Sequence, residues 1–261
     1  MIQAVFQFLL PFLIAASVVV VITMIAEKFG TRVGGILGTV PSTIVVAFVF
    51  ISINQGEVFA SSAASVVPAE MAINLAFLFL FNLMAKRSVI GALVVSLLIW
   101  ALLSTGLLIS DLSSILLSSM IYLAVLLFIF YLMERPLKMR SSGSVNVEYT
   151  VGKIAFRGVF AGLIIGTSVV LSNVGDAIAG IFSVFPAIFL STMMIMLKEH
   201  GANFSAGMGK SMILGSQTVV VYAIAIHFLY PEVGVILGSV AAYAISMIMV
   251  LALLFVRDRI S

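Results

Sequence analysis

Few side chains in this sequence could do chemistry, and those that could lie mostly inside apolar runs. Glu70, in "VVPAEMAINLAF", is the most deeply placed carboxylate, and Asn74 follows it one helical turn later on the same face. A charge at mid-bilayer costs about 2.5–3.5 kcal/mol on insertion scales, so an acidic residue there points to function. A carboxyl held out of water would suit proton coupling. The apolar run around it begins only at about residue 66, which places Glu70 a turn or so below the outer end, within reach of headgroups or water. A second polar group lies in "GSQTVVVY", where Ser216, Gln217 and Thr218 sit deep in another run. Gln217 there is a candidate for a cavity wall or for a hydrogen bond to a neighbouring helix.

Two further stretches carry helix-weakening residues where a lipid-crossing helix has no obvious use for them. "GGILGTVPSTIVV" (34–46) contains Gly38, Thr39, Pro41, Ser42 and Thr43, and "AGIFSVFPAIFLS" (179–191) contains Ser183 and Pro186. Proline removes a backbone hydrogen bond and clashes with the preceding turn. In lipid the freed carbonyl needs a partner, so such breaks face protein or a wet cavity. The hydroxyls of Thr39, Ser42 and Thr43, and of Ser183, Ser191 and Thr192, are the candidates to supply it. Paired interrupted segments at corresponding places are the sequence sign of a transporter's central site.

Catalytic and metal-binding patterns are missing. The sequence has no cysteine, two histidines far apart, no HExxH, no paired carboxylates and no serine with a histidine partner, so neither a metal nor an enzyme is expected. It has no phosphate-cradling loop either, which excludes ATP-driven pumping by this chain alone, and no cofactor is implied. His227, alone near the outer end of an apolar run, reads as a packing residue.

The elements that must position these groups are transmembrane helices. Of the 261 residues, 63% are hydrophobic and 9% charged, against roughly 25% charged in soluble domains. Continuous apolar runs, rather than alternating ones, identify an all-α integral membrane protein. Nine spans are expected, at about 4–26, 34–53, 66–85, 88–109, 113–133, 154–172, 177–197, 210–229 and 234–256, the second and seventh broken by proline. With that count, all thirteen Lys and Arg residues fall on one side, and Glu57, Asp111, Asp176 and Glu232 on the other. Basic residues stay cytoplasmic, which predicts a plasma or inner membrane protein with its N-terminus outside and C-terminus inside. The net charge of +3 thus reflects topology and not nucleic-acid binding.

The chain also repeats itself. "IAEKFGTRVGGILGTVP" (25–41) lies over "VLSNVGDAIAGIFSVFP" (170–186) at an offset of 145, and Gly56 then meets Gly201. Spans one to four correspond to spans six to nine, with the fifth left over. Five crossings between equivalent starts invert the second unit, giving a 4+1+4 inverted-topology repeat. The units are residues 1–109 and 151–261, joined by a helix and cytoplasmic connector over 110–150. Small residues recur every four positions at Gly158, Gly162 and Gly166, and at Gly234 and Gly238. This spacing allows close helix approach, and both faces are candidates for a homodimer contact.

The second unit, with "AGIFSVFPAIFLS", a glycine loop at Gly201 and two more apolar spans, resembles the GlpM-type bacterial inner-membrane proteins. Those are small four-span proteins linked by name to glycerol metabolism and alginate production. The resemblance rests on Ala179, Gly180 and Pro186, covers about 100 residues, and implies a fused antiparallel pair of such units. It supplies no catalytic residue. Two functions follow: a secondary transporter or facilitator of a small solute or ion, with its site between spans two and seven, or a non-transporting accessory protein for an envelope polysaccharide or lipid system. Besides the lipid bilayer, the transported solute is the partner that the first of these implies.

Overall fold

A computed structural model describes residues 2–28, 40–135, 137 and 150–260. Among them the only regular structure is helical: α1 (Ile2–Lys28), α2 (Ser42–Gln55), α3 (Glu57–Ser65), α4 (Val67–Met84), α5 (Val89–Ile109), α6 (Ile115–Glu134), α7 (Val151–Leu171), α8 (Asp176–Ser183), α9 (Ala187–Gly215) and α10 (Gln217–Ile260). Seven helical stretches of the described residues are long and apolar enough to cross a membrane, which makes this a helical membrane protein. Two long helices are themselves divided. Gly201 breaks α9 at φ 80°, and Gly234 breaks α10 at φ 81°, so each label covers two straight helices. Serine side chains start two others: Ser88 Oγ accepts from Gly91 N at 3.0 Å, and Ser114 Oγ from Leu117 N at 3.3 Å.

The layers follow from which helices bury their sides. Two-thirds of α4 is buried (67%), against about a fifth of α5 and α6 (22% each). α4 therefore forms the centre, with α5 and α6 covering one flank. Their outer faces, including Leu98, Leu102, Leu123 and Phe128, are left exposed for lipid. Phe48, Phe77, Phe81, Leu75 and Tyr222 fill the interior.

The glycine stripe on α7 packs against α1. A Cβ at Gly162 would stand 2.7 Å from the Phe12 carbonyl oxygen, and one at Gly166 3.0 Å from that of Phe8. The expected dimer face through Gly158, Gly162 and Gly166 is thus corrected: α1 of the same chain occupies it. Gly238 likewise packs inside the chain, against Tyr230. Gly180 of the "AG" element lets α8 cross α3, where a Cβ would collide with the Ala63 carbonyl oxygen.

The third span, expected at about 66–85, is α4, and a short helix precedes it. α3 adds nine residues, "EVFASSAAS", ahead of α4, with a turn at Val66 between them. Its alanines and serines are helix-compatible and small enough for close packing against α8 and α10. The polar contacts between loops fall into two groups. Gln55 bonds Asn173 at 3.0 Å, Glu57 accepts from Val235 N at 3.2 Å, and Ser62 bonds Asp176. Separately, Lys153 pairs with Glu199, and Lys210 with Glu134.

Candidate functional site

Pro41 and Pro186 each stand at the start of a helix. Their backbones match: φ −73°, ψ 50° at Pro41 and φ −74°, ψ 38° at Pro186. The surrounding hydrogen bonds match as well. Ser42 N donates to Val40 O and Ala187 N to Phe185 O, both at 2.7 Å, and the helices then begin with Val45 N to Pro41 O and Leu190 N to Pro186 O. Proline suits this place because its fixed φ and missing N–H cost nothing at a helix start. Neither helix has a side-chain cap or an acidic residue in its first turn. Their first N–H groups therefore present partial positive charge.

Both starts face one small cavity of about 50 Å³. Pro41, Thr43 and Ile44 line one side of it, and Ser183, Phe185 and Pro186 another, with Met71 of α4 and Val219 of α10 between them. Of the site residues expected from sequence, the structure brings Pro41, Thr43, Ser183 and Pro186 together here. Ser42 is buried at the start of α2. Gly38 and Thr39 lie outside the described residues, as does most of the connector before residue 150.

Asn74 closes the α8–α9 break. It is fully buried, and its Nδ2 donates to the Val184 carbonyl at 2.7 Å. This corrects the expectation that nearby hydroxyls serve that purpose. Ser183 Oγ instead donates to Gly180 O, and Ser191 Oγ to Ile188 O, both within their own helices.

Glu70 sits one turn before Asn74 and is fully buried. Glu70 stands in the first turn of α4, thirteen residues after Glu57 and fourteen before Met84. The expectation that its side chain reaches headgroups or water is corrected, because the protein encloses it completely. Glu70 Oε1 accepts from Trp100 Nε1 at 2.7 Å and from Ser104 Oγ at 2.9 Å. Oε2 is buried without a hydrogen-bond partner. Trp100 in turn packs edge-on against Phe185 (4.8 Å between ring centres) and Phe182 (6.1 Å), on either side of the break.

Ser216 and Gln217 do not reach the cavity. Ser216 Oγ shares a hydrogen bond with Tyr122 Oη at 2.7 Å and donates to Ile213 O. Gln217 donates to Leu214 O at 3.0 Å, so both polar groups serve the turn between α9 and α10. His227 packs on α3, with its ring nitrogen 2.8 Å from the Ser61 carbonyl oxygen.

Sequence reasoning missed Trp100, Ser104 and Tyr122. A signal existed for the first two: Trp100 is the single tryptophan, and Ser104 follows it at i+4 on the same helix face. Tyr122 had no such local partner. No protein-family model, curated protein sequence or solved structure matches the chain.

Proposed function

We propose that this protein is a secondary transporter or facilitator for a small solute or ion, whose site is the cavity between the starts of α2 and α9. The observation that carries this reading is the pair of proline-started helices, alike in backbone, facing one cavity. Discontinuous helices meeting at mid-membrane are the usual form of a transporter site.

The reading includes nine spans arranged as an inverted repeat. Gly56 (φ 92°, ψ 166°) and Gly201 (φ 80°, ψ 175°) share a torsion pair at the same offset as the prolines. Asn82 and His227 stand at that offset too. Asn82 lies against Gly209, and His227 against Ser61, so each unit reaches into the other in a similar way. α1 and α7, the first helix of each unit, pack together. The two groups of loop contacts keep the acidic-side loops apart from the basic-side loops, in line with an outside N-terminus and a cytoplasmic C-terminus. On this reading the chain resembles two GlpM-type units fused through α6.

The accessory reading draws support from the cavity's chemistry, since among the described residues that line it only Thr43 and Ser183 carry hydroxyls. A thermal-unfolding screen of the detergent-purified protein separates the two. Inorganic ions, polyols, organic acids and amines are tested at several pH values, because a ligand of the folded state raises its apparent melting temperature. A transporter shows one stabilising chemical class, with the shift lost in Thr43→Val, and that class then moves in proteoliposomes. No shift with any class, together with no flux, returns the protein to the accessory reading.

A further inference from the structure

We propose that Glu70 is a proton-binding site and that Trp100 couples its protonation to the wall of the cavity. The second half rests on the cavity being the solute site; the first does not. Glu70 lies in the first turn of α4 with no exposed surface. Both donors that reach it share one oxygen, Oε1, and Oε2 has no partner. A proton arriving from water forms its O–H bond at Oε2 and leaves both existing hydrogen bonds in place. Those bonds then lose the acceptor's negative charge. Charge-assisted hydrogen bonds are roughly twice as strong as neutral ones, so Trp100 is held firmly in one state and loosely in the other.

The other side of Trp100 carries the effect onward. Its ring meets Phe182 and Phe185, which flank Ser183 and Val184 in the break between α8 and α9. Phe185 and Val184 are part of the cavity wall. The indole is thus a lever with its N–H on the carboxyl and its ring against the wall. It positions the wall and is not itself a solute contact.

Other ionisable groups on the neighbouring helices are engaged elsewhere. α4 has no second ionisable residue, and α5 has none. On α6, Tyr122 is bonded to Ser216, while Tyr131 and Glu134 lie at the far end. Glu57 of α3 and Asp176 of α8 are held at the outer loops, by Val235 N and by Ser62. On α10, Tyr222 and Tyr230 bond each other, His227 bonds Ser61, Glu232 is exposed, and Tyr243 packs against Val40 and Val250. The charged residues of α9, Lys198, Glu199 and Lys210, lie near its break at Gly201, where Glu199 and Lys210 pair with Lys153 and Glu134.

Because Trp100 is the single tryptophan, its fluorescence reads this site directly in the full-length purified protein. Emission is recorded between about pH 4 and pH 10, a range that brackets carboxylate and histidine titration. We expect one reversible step in wild type, loss of that step in Glu70→Gln, and a displaced midpoint in Ser104→Ala. Infrared difference spectra of wild type between the two pH extremes should show the carbonyl stretch of a protonated carboxylic acid. In Trp100→Phe that band should remain with a shifted pH profile, which a merely structural role for the indole would not produce. Flat emission in wild type, or a step that survives in folded Glu70→Gln, overturns the proposal. If Glu70→Gln does not fold, absence of the infrared band in wild type overturns it instead. Flux without any pH dependence removes the coupling and leaves the transporter reading intact. A clean titration without any flux does the reverse.

Discussion

Asn74→Leu tests the account of the broken helix most sharply. Leucine keeps the number and branching of asparagine's heavy atoms, though it is bulkier, and removes the donor. The Val184 carbonyl, 8% exposed as a residue and bonded at 2.7 Å, then loses its partner. An unpaired buried acceptor costs about 1–3 kcal/mol in soluble proteins. Side-chain hydrogen bonds in a membrane protein average about 0.6 kcal/mol and reach about 1.7, because the unfolded chain also finds partners. Val184 borders the cavity, where water can replace part of the bond, so a loss of about 1 kcal/mol is expected. The assay is reversible unfolding of the purified protein by dodecyl sulfate in mixed micelles, followed by Trp100 emission and circular dichroism. Ser183→Ala is the comparison. Its hydroxyl bonds only its own helix, at Gly180 O, so its effect should stay below about 0.5 kcal/mol. If Asn74→Leu unfolds with wild type, or Ser183→Ala is the more damaging change, the hydroxyl account of the break is right and the assignment to Asn74 is wrong.

The same unfolding titration checks three further expectations. Gly162→Leu, whose Cβ would meet the Phe12 carbonyl, should lose about 2–3 kcal/mol, whereas Gly175→Ala, in open space with an extended backbone, should stay within about 0.5 kcal/mol of wild type. Gly56→Ala and Gly201→Ala each place a side chain in a torsion region that only glycine occupies freely, and should each cost about 1–3 kcal/mol although nothing crowds either Cβ. Tyr122→Phe removes the hydroxyl bonded to Ser216 and should cost about 1 kcal/mol.

Much of the fold was legible in the chain because lipid imposes a strict rule: apolar runs of sufficient length become helices. The prolines and their companions were legible for a related reason, since a broken helix in a membrane must face something other than lipid. What the sequence could not give was depth and partnership. Glu70 was placed within reach of water because "EVFASSAAS" is less apolar than a typical span, yet it folds as a helix whose small side chains let α8 and α10 close over it. Asn74 was seen on the face of Glu70, but its partner lies 110 residues further along the chain. Gln217 was read as reaching outward, although a long amide near a turn can fold back on its own carbonyls, as it does at Leu214. The glycine stripe of α7 announced close packing without saying against what, and α1 supplied the answer.

The central claim is that solute reaches the cavity between Pro41 and Pro186. The natural chain has no cysteine, so a single introduced thiol can report on that directly. Thr43→Cys and Ser183→Cys, on opposite sides of the cavity, would be exposed to a membrane-impermeant maleimide in right-side-out and inside-out vesicles. Gln55→Cys and Arg87→Cys, at the expected outer and inner ends, serve as controls for vesicle sidedness. A transporter predicts that the cavity thiols react, and that each can be reached from both faces. Cavity thiols that stay unlabelled from both faces, while the two controls label from opposite sides, would contradict it.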